Sequence, residues 1–201
     1  STTFVNITIN EPLTIIDYQL EHFILTRASQ IVQISPFLSG GNAASWAIEP
    51  EIPLGLTFNQ GVIFGTPQVN MSATEYTIWA NNSGGSSVVT ISITVNEPIA
   101  SFNYQDYQFT LTRGQEIVSI NPLITGGSPE LWQISPLLPF GLAFENGTIF
   151  GSSLNNQTAI QYTIWANNSG GSYYQNINLT IVEPVANIEI YSSSLSFNKS
   201  D

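Results

Sequence analysis

Cysteine is absent from the 201-residue chain, which excludes disulfides, thiolate metal ligands and a cysteine nucleophile. Its core must therefore hold by packing alone. Basic side chains are almost as scarce: Arg27, Arg113 and Lys199 stand against 14 acidic residues, for a net charge of −11. A surface of that sign cannot neutralise a phosphate backbone, so nucleic acid is excluded as a partner. Charged residues make up 8% of the chain against about 25% in ordinary globular domains, and Asn, Gln, Ser and Thr carry the polar surface instead. No apolar run approaches the ~20 residues of a spanning helix, because even the stretch from Ile91 to Val95 is interrupted by Ser92 and Thr94. No membrane insertion is expected of this segment.

What is present is a repeat. Pro12, Pro98 and Pro184 fall 86 residues apart, as do Arg27 and Arg113, Trp46 and Trp132, Gly55 and Gly141, and Phe64 and Phe150. The eleven residues from Tyr76 to Ser86 recur unchanged from Tyr162 to Ser172. The organisation expected from this register is two whole modules, residues 13–98 and 99–184. Residues 1–12 align with the last strand of a preceding module and residues 185–201 with the first strand of a following one, as in an excerpt from a longer tandem array. Donation of these end strands to neighbouring chains by strand addition is the alternative.

Within a module the apolar period is two. Tyr162, Ile164 and Ala166 alternate with Thr163, Trp165 and Asn167, and Ile177, Leu179 and Ile181 with Asn176, Asn178 and Thr180. This is the pattern of half-buried antiparallel strands. Asn146-Gly147, matched by Gln60-Gly61, suits a type I′ hairpin, and Asn168-Ser169-Gly170-Gly171 links the last two strands. No stretch carries a helical stripe with caps. About seven short strands in 86 residues predict an all-β fold of tandem immunoglobulin-like β-sandwiches.

Three segments carry a family resemblance: Pro53-Leu54-Gly55-Leu56-Thr57-Phe58, then Gly61-Val62-Ile63-Phe64-Gly65-Thr66-Pro67, then Tyr76 to Ser86. Together they resemble the putative Ig domain family of microbial surface proteins, a pattern shared with cadherin-like, dystroglycan-type modules. The second copy departs from it where Ser152-Ser153 replaces Thr66-Pro67. The resemblance implies a spacer, adhesive or shell-forming role on an archaeal or bacterial exterior, often within long arrays.

No active site assembles. The lone His22 has Gln108 as its counterpart and lacks a Ser-His-Asp set, and among the acids only Glu11, Glu97 and Glu183 recur at every module boundary, as linker features. Enzymatic activity is not expected, nor is a cofactor. Glu97 and Glu183 are weak calcium candidates, since the chain supplies few of the six to eight oxygens calcium takes. The alternative is a solvated Glu-Pro hinge that ends each last strand. Arg27 and Arg113 are expected to hydrogen-bond loop carbonyls or an acid.

Trp46 and Trp132 share the inward parity of Ile48 and Ile134, whereas Trp79 and Trp165 alternate against the apolar set and are expected on the outer face. An outward Trp in both copies asks for a contact: a loop of its own module, another module or chain, or a sugar ring. Tyr173 and Tyr174, which replace Ser87 and Val88, could enlarge such a patch in one copy. Eight Asn-x-Ser/Thr sequons, at Asn6, Asn70, Asn81, Asn146, Asn156, Asn167, Asn178 and Asn198, are roughly twice what composition yields by chance. They are N-glycosylation candidates in an archaeal or eukaryotic source.

These features predict a non-catalytic structural segment of a long extracellular or cell-surface protein: a rod, filament or surface layer (S-layer) whose partners are covalent glycans and further copies of itself, joined by strand or end-to-end contacts. An adhesin or a carbohydrate-binding spacer of a secreted protein is the alternative.

Overall fold

A computed structural model describes residues 3–31 and 33–186, the side chain of Val118 excepted. Expectations for residues 187–201, including Asn198 and Lys199, lie outside the described residues.

The first repeat contributes β1 (Thr14–Asp17), β2 (His22–Thr26), β3 (Phe37–Gly40), β4 (Ser45–Glu49), β5 (Leu56–Asn59), β6 (Val62–Gly65), β7 (Met71–Asn82) and β8 (Gly85–Asn96). The second contributes β9 (Phe102–Asn103), β10 (Gln108–Thr112), β11 (Ile117–Ile120), β12 (Leu123–Ile124), β13 (Leu131–Ser135), β14 (Leu142–Glu145), β15 (Thr148–Gly151), β16 (Gln157–Asn168) and β17 (Gly171–Val182). The bounds of β10, β13, β14, β15, β16 and β17 are those of β2, β4, β5, β6, β7 and β8 shifted by the 86-residue period. The all-β, tandem immunoglobulin-like fold expected from the alternation is the observed one.

The main sheet of the first repeat runs β2-β8-β7-β4, and that of the second β10-β17-β16-β13. In both, the first long strand lies parallel to the last: His22 pairs with Ser92 through to Thr26 with Asn96, and Gln108 with Asn178 through to Thr112 with Val182. Smaller antiparallel pairs, β1-β3 and β5-β6, accompany the first sheet. The second repeat differs where β11 adds to β15 to make the three-stranded order β11-β15-β14, while its counterpart in the first repeat is a single bridge between Ile34 and Ile63.

Alternation fills the core as the pattern requires. Tyr76, Ile78 and Ala80 of β7 and Ile91, Ile93 and Val95 of β8 are buried against Ile63, Ile34 and Leu56, with Trp46, Ile48 and Phe58 packed at the margin. Each such aliphatic side chain, removed from water, contributes about 1.5–3 kcal/mol. The second repeat buries Tyr162, Ile164, Ala166, Ile177, Leu179 and Ile181 likewise.

Both hairpin turns have the backbone predicted for them, with φ of 48° and 81° at Gln60 and Gly61 and of 49° and 82° at Asn146 and Gly147. Gly61 also answers a packing demand, since a Cβ there would stand 2.6 Å from the Trp46 ring. Tyr18 and Tyr104 fasten these turns, each phenol donating to the carbonyl of Gly61 or Gly147.

Residues 3–13 form no strand, and Val5, Ile7 and Ile9 are exposed although their repeat equivalents Ile91, Ile93 and Val95 are core. The reason is topological: the place between β2 and β7 that such a strand would take is filled by β8.

By compactness the described residues fall into two units, those up to 103 with 123–132 and 165–174 in one, and 104–122, 133–164 and those from 175 in the other. The first unit thus holds all of repeat 1 together with the Gly126-Gly127 loop and the tip of the β16–β17 hairpin.

Candidate functional site

The recurring Glu-Pro segments are where the repeat concentrates its polar contacts. Arg27, one residue past β2, lies beside Glu97, one residue past β8, because the parallel pairing brings the two strand ends together. Arg27 donates Nε to Oε1 at 2.8 Å and Nη2 to Oε2 at 2.7 Å. Of the two partners foreseen for this arginine, carbonyls or an acid, the structure selects the acid. The guanidinium's hydrogen bonds hold the Glu97 carboxyl below the usual carboxylate range and push the pKa of Arg27 upward.

Arg113 and Glu183 repeat the pair more openly, through Nε at 2.9 Å and Nη2 at 2.7 Å, both to Oε2. The Glu97 side chain is 13% exposed and that of Glu183 54%. The Asn156 amide donates to Oε1 of Glu183 and is the first cause, ahead of Arg113, of that carboxyl's lowered pKa.

The backbone of each Glu-Pro segment is gripped by a hairpin tip. Asn82 donates Nδ2 to the Pro12 carbonyl at 2.7 Å while its Oδ1 accepts from the Gly84 N–H at 2.8 Å, and Ser83 Oγ accepts from the Glu11 N–H at 2.9 Å. One period later Asn168 donates to the Pro98 carbonyl at 2.7 Å and to that of Ser128 at 3.2 Å, and Ser169 Oγ accepts from the Glu97 N–H at 2.9 Å. Glu97 is therefore held at both ends, its carboxylate by the repeat it leaves and its N–H by the repeat it enters. Contact is close enough to require glycine: a Cβ on Gly84 would lie 2.2 Å from the Glu11 carbonyl oxygen, and one on Gly170 2.0 Å from that of Glu97.

Sequence reasoning read Asn-Asn-Ser-Gly-Gly as a turn and missed the clamp. The available signal was that its second asparagine and its serine recur together with Glu-Pro. Tyr18 and Tyr104, likewise missed, recur one period apart.

Calcium finds no prepared ligand set here. The Glu97 oxygens are engaged by Arg27 and those of Glu183 by Arg113 and Asn156, and no group of three or more His, Asp or Glu side chains that could hold a metal occurs among the described residues. An open groove runs beside β2, lined by Leu20, Phe23, Leu25, Ile31 and Phe37, and its counterpart beside β10 is lined by Phe109, Leu111, Ile117 and Ile120. The carboxylate pair that acid–base chemistry needs is missing from both linings.

Trp79 and Trp165 stand half-buried at outward parity on β7 and β16. Trp79 has Ala47 and Val88 as its neighbours across the sheet. Tyr173 and Tyr174 do not act as one patch, since alternation sends them to opposite faces. Tyr173 meets the buried Phe102 edge to face at 5.7 Å, Phe102 in turn meets Trp132 at 4.7 Å, and Tyr174 is 60% exposed. Among the sequons, Asn6, Asn70, Asn146 and Asn156 are exposed, and Asn81, Asn167 and Asn178 are half-buried on strands.

Residues 18–96 match the family model described as Putative Ig domain. Among solved structures, Drosophila OTK extracellular domains 3-5 superpose with a TM-score of 0.54 at 15% identity, over 83% of this chain and 62% of that one. The N-terminal four Ig domains of Dscam1 isoform 9.44 give 0.51 at 13% identity, over 88% and 47%, and Sidekick-1 immunoglobulin domains 1-4 give 0.50 at 13%, over 89% and 51%. The chain spans about half to three fifths of the length of these structures, and the likeness is one of fold. No curated protein matches.

Proposed function

We propose, from immunoglobulin-like repeats joined through a doubly held glutamate, that this chain is a non-catalytic structural segment of a long extracellular protein forming a rod, filament or surface layer. The carrying observation is Glu97, whose side chain closes one repeat on Arg27 while its backbone N–H bonds to Ser169 of the next. A junction built from repeated residues can be reiterated, and in repeat arrays stability is a sum of module cores and neighbour contacts. N-linked glycans on the outward asparagines add solubility to a chain that is 8% charged. Further copies associate through edge strands such as β2 and β4, which have few charges to guard them.

Immunogold labelling of intact source cells with an antibody to this chain tests the reading. Label in files along surface rods or sheets supports it, and label confined to the cell interior overturns it.

A carbohydrate-binding adhesin is the second reading. The observation favouring it is the exposed Tyr174 at the repeat position of Val88, the cross-strand neighbour of Trp79.

A further inference from the structure

Trp79 and Asn81 sit two residues apart on β7, on the same face, with their Cα atoms about 7 Å apart. Asn81 opens the sequon Asn81-Asn82-Ser83. The sheet around them is built low. Across β4 and β8, Trp79 is flanked by Ala47 and Val88, and Asn81 by Ser45 and Ser86. Ser86 Oγ donates to Asn81 Oδ1 at 2.5 Å, which fixes the carboxamide with its oxygen toward β8 and turns Nδ2 away from that strand. A half-buried indole thus lies beside an amide nitrogen, with only small side chains between the strands to either side.

Other described sequons lack this juxtaposition. Asn6 follows Phe4 by two residues but outside any strand. Asn146 follows Phe144, whose repeat equivalent Phe58 packs on the core side. Asn70, Asn156 and Asn178 have Gln68, Leu154 and Asn176 at that position. Only the Trp79-Asn81 pair and its repeat, Trp165 and Asn167, combine a sequon with an aromatic ring on one strand face among the described residues.

We infer that Asn81 carries an N-linked sugar whose first N-acetylhexosamine ring stacks on Trp79. The C–H groups of a pyranose face carry slight positive charge and the indole face slight negative charge, so the ring supplies both an electrostatic match and an apolar cover for a residue that a strand otherwise leaves in water. In the transfer, Asn81 Nδ2 bonds to the anomeric carbon of a sugar carried on a lipid diphosphate. The anomeric C–O bond breaks with its electron pair leaving on the lipid diphosphate, which receives the proton lost from Nδ2. The outward Trp79 thereby becomes a glycan platform.

The inference rests on the N-glycosylated array reading above. Its test uses the 201-residue chain secreted from a eukaryotic host and trimmed by an endoglycosidase to the single Asn-linked N-acetylglucosamine. Glycopeptide mass spectrometry is expected to show Asn81 occupied, and NMR to show protons of that sugar shifted upfield by the indole ring current. Asn81→Gln is expected to lower the thermal midpoint by a few degrees, roughly as a small loss of burial does. In a Trp79→Ala background the same change should have a smaller effect, because only the Ser86–Asn81 hydrogen bond remains to be lost, and Trp79→Phe should restore part of it. The ring-current shift needs no variant to fold.

Sugar at other asparagines with Asn81 empty overturns the inference and leaves the array reading standing, and so does sugar on Asn81 without the upfield shift. Sugar on none of the sequons overturns both the inference and the glycosylated part of that reading.

Discussion

Arg27 and Glu97 stand 70 residues apart in the chain and grip each other through two hydrogen bonds, Nε to Oε1 at 2.8 Å and Nη2 to Oε2 at 2.7 Å. The pair closes the ends of β2 and β8, the parallel strands by which the chain enters and leaves the first main sheet. Because the Glu97 N–H is bonded to Ser169 Oγ, the same residue sets where the second repeat begins.

The pH dependence follows from the lowered carboxyl. Glu97 binds its proton less readily folded than unfolded, so the pair's stabilisation is full above the ordinary carboxylate value of 4.5 and is lost as pH falls through the lower folded value. Glu97→Gln should lower the thermal midpoint at pH 7, and by progressively less as pH falls below 4.5. Glu183→Gln should have a smaller effect, because that side chain is 54% exposed. Calorimetry of both variants across this range checks the order.

Removing the asparagine clamp leaves the Pro98 and Ser128 carbonyls and the Gly170 N–H without their partner. Asn168→Ala should cost about 1–3 kcal/mol. In urea unfolding this would show as a lower midpoint with an unchanged slope.

Gly170→Ala places a methyl 2.0 Å from the Glu97 carbonyl oxygen and 2.9 Å from the Ile99 nitrogen, both backbone. The hairpin tip must retreat from the Glu-Pro segment. Hydrogen exchange at the Glu97 N–H, whose acceptor is on that tip, should accelerate while exchange in β7 and β8 stays as it was.

Burial pushes the Tyr18 and Tyr104 phenols well above their ordinary value of 10.0. Each is raised in the folded state, so its contribution is full below pH 10 and lost as pH climbs beyond it. The chain should therefore destabilise above pH 10, and less steeply with Tyr18→Phe and Tyr104→Phe together. Ultraviolet titration of the tyrosines alongside circular dichroism reads both.

Most of the fold was legible because its period is simple. The alternation of Tyr76, Ile78 and Ala80 with Trp79 announces a strand with one buried face, and Gln60-Gly61 or Asn146-Gly147 announces a tight hairpin. The parallel pairing of β2 with β8 was not legible, since alternation identifies the buried face of a strand and is silent on its neighbour. The site was legible by halves. Repetition of Arg27 and Glu97 marked both as structural, but their partnership depends on that unread parallel pairing. The clamp was hidden because Asn82 and Ser83 are ordinary turn residues, whose long-range bonds to Pro12 and Glu11 leave no local signature. Tyr173 and Tyr174 show the converse: adjacency in sequence suggested one patch, and the pleat divides them.

Electron cryo-microscopy of the native, full-length material at side-chain resolution would show whether Glu97 joins successive repeats. The expected result is a continuous chain of sandwiches with Glu97 lying between the Arg27 and Ser169 side chains, and the same geometry at each further Glu-Pro step. Repeats joined by links that adopt many geometries, with Glu97 detached from both partners, would contradict it.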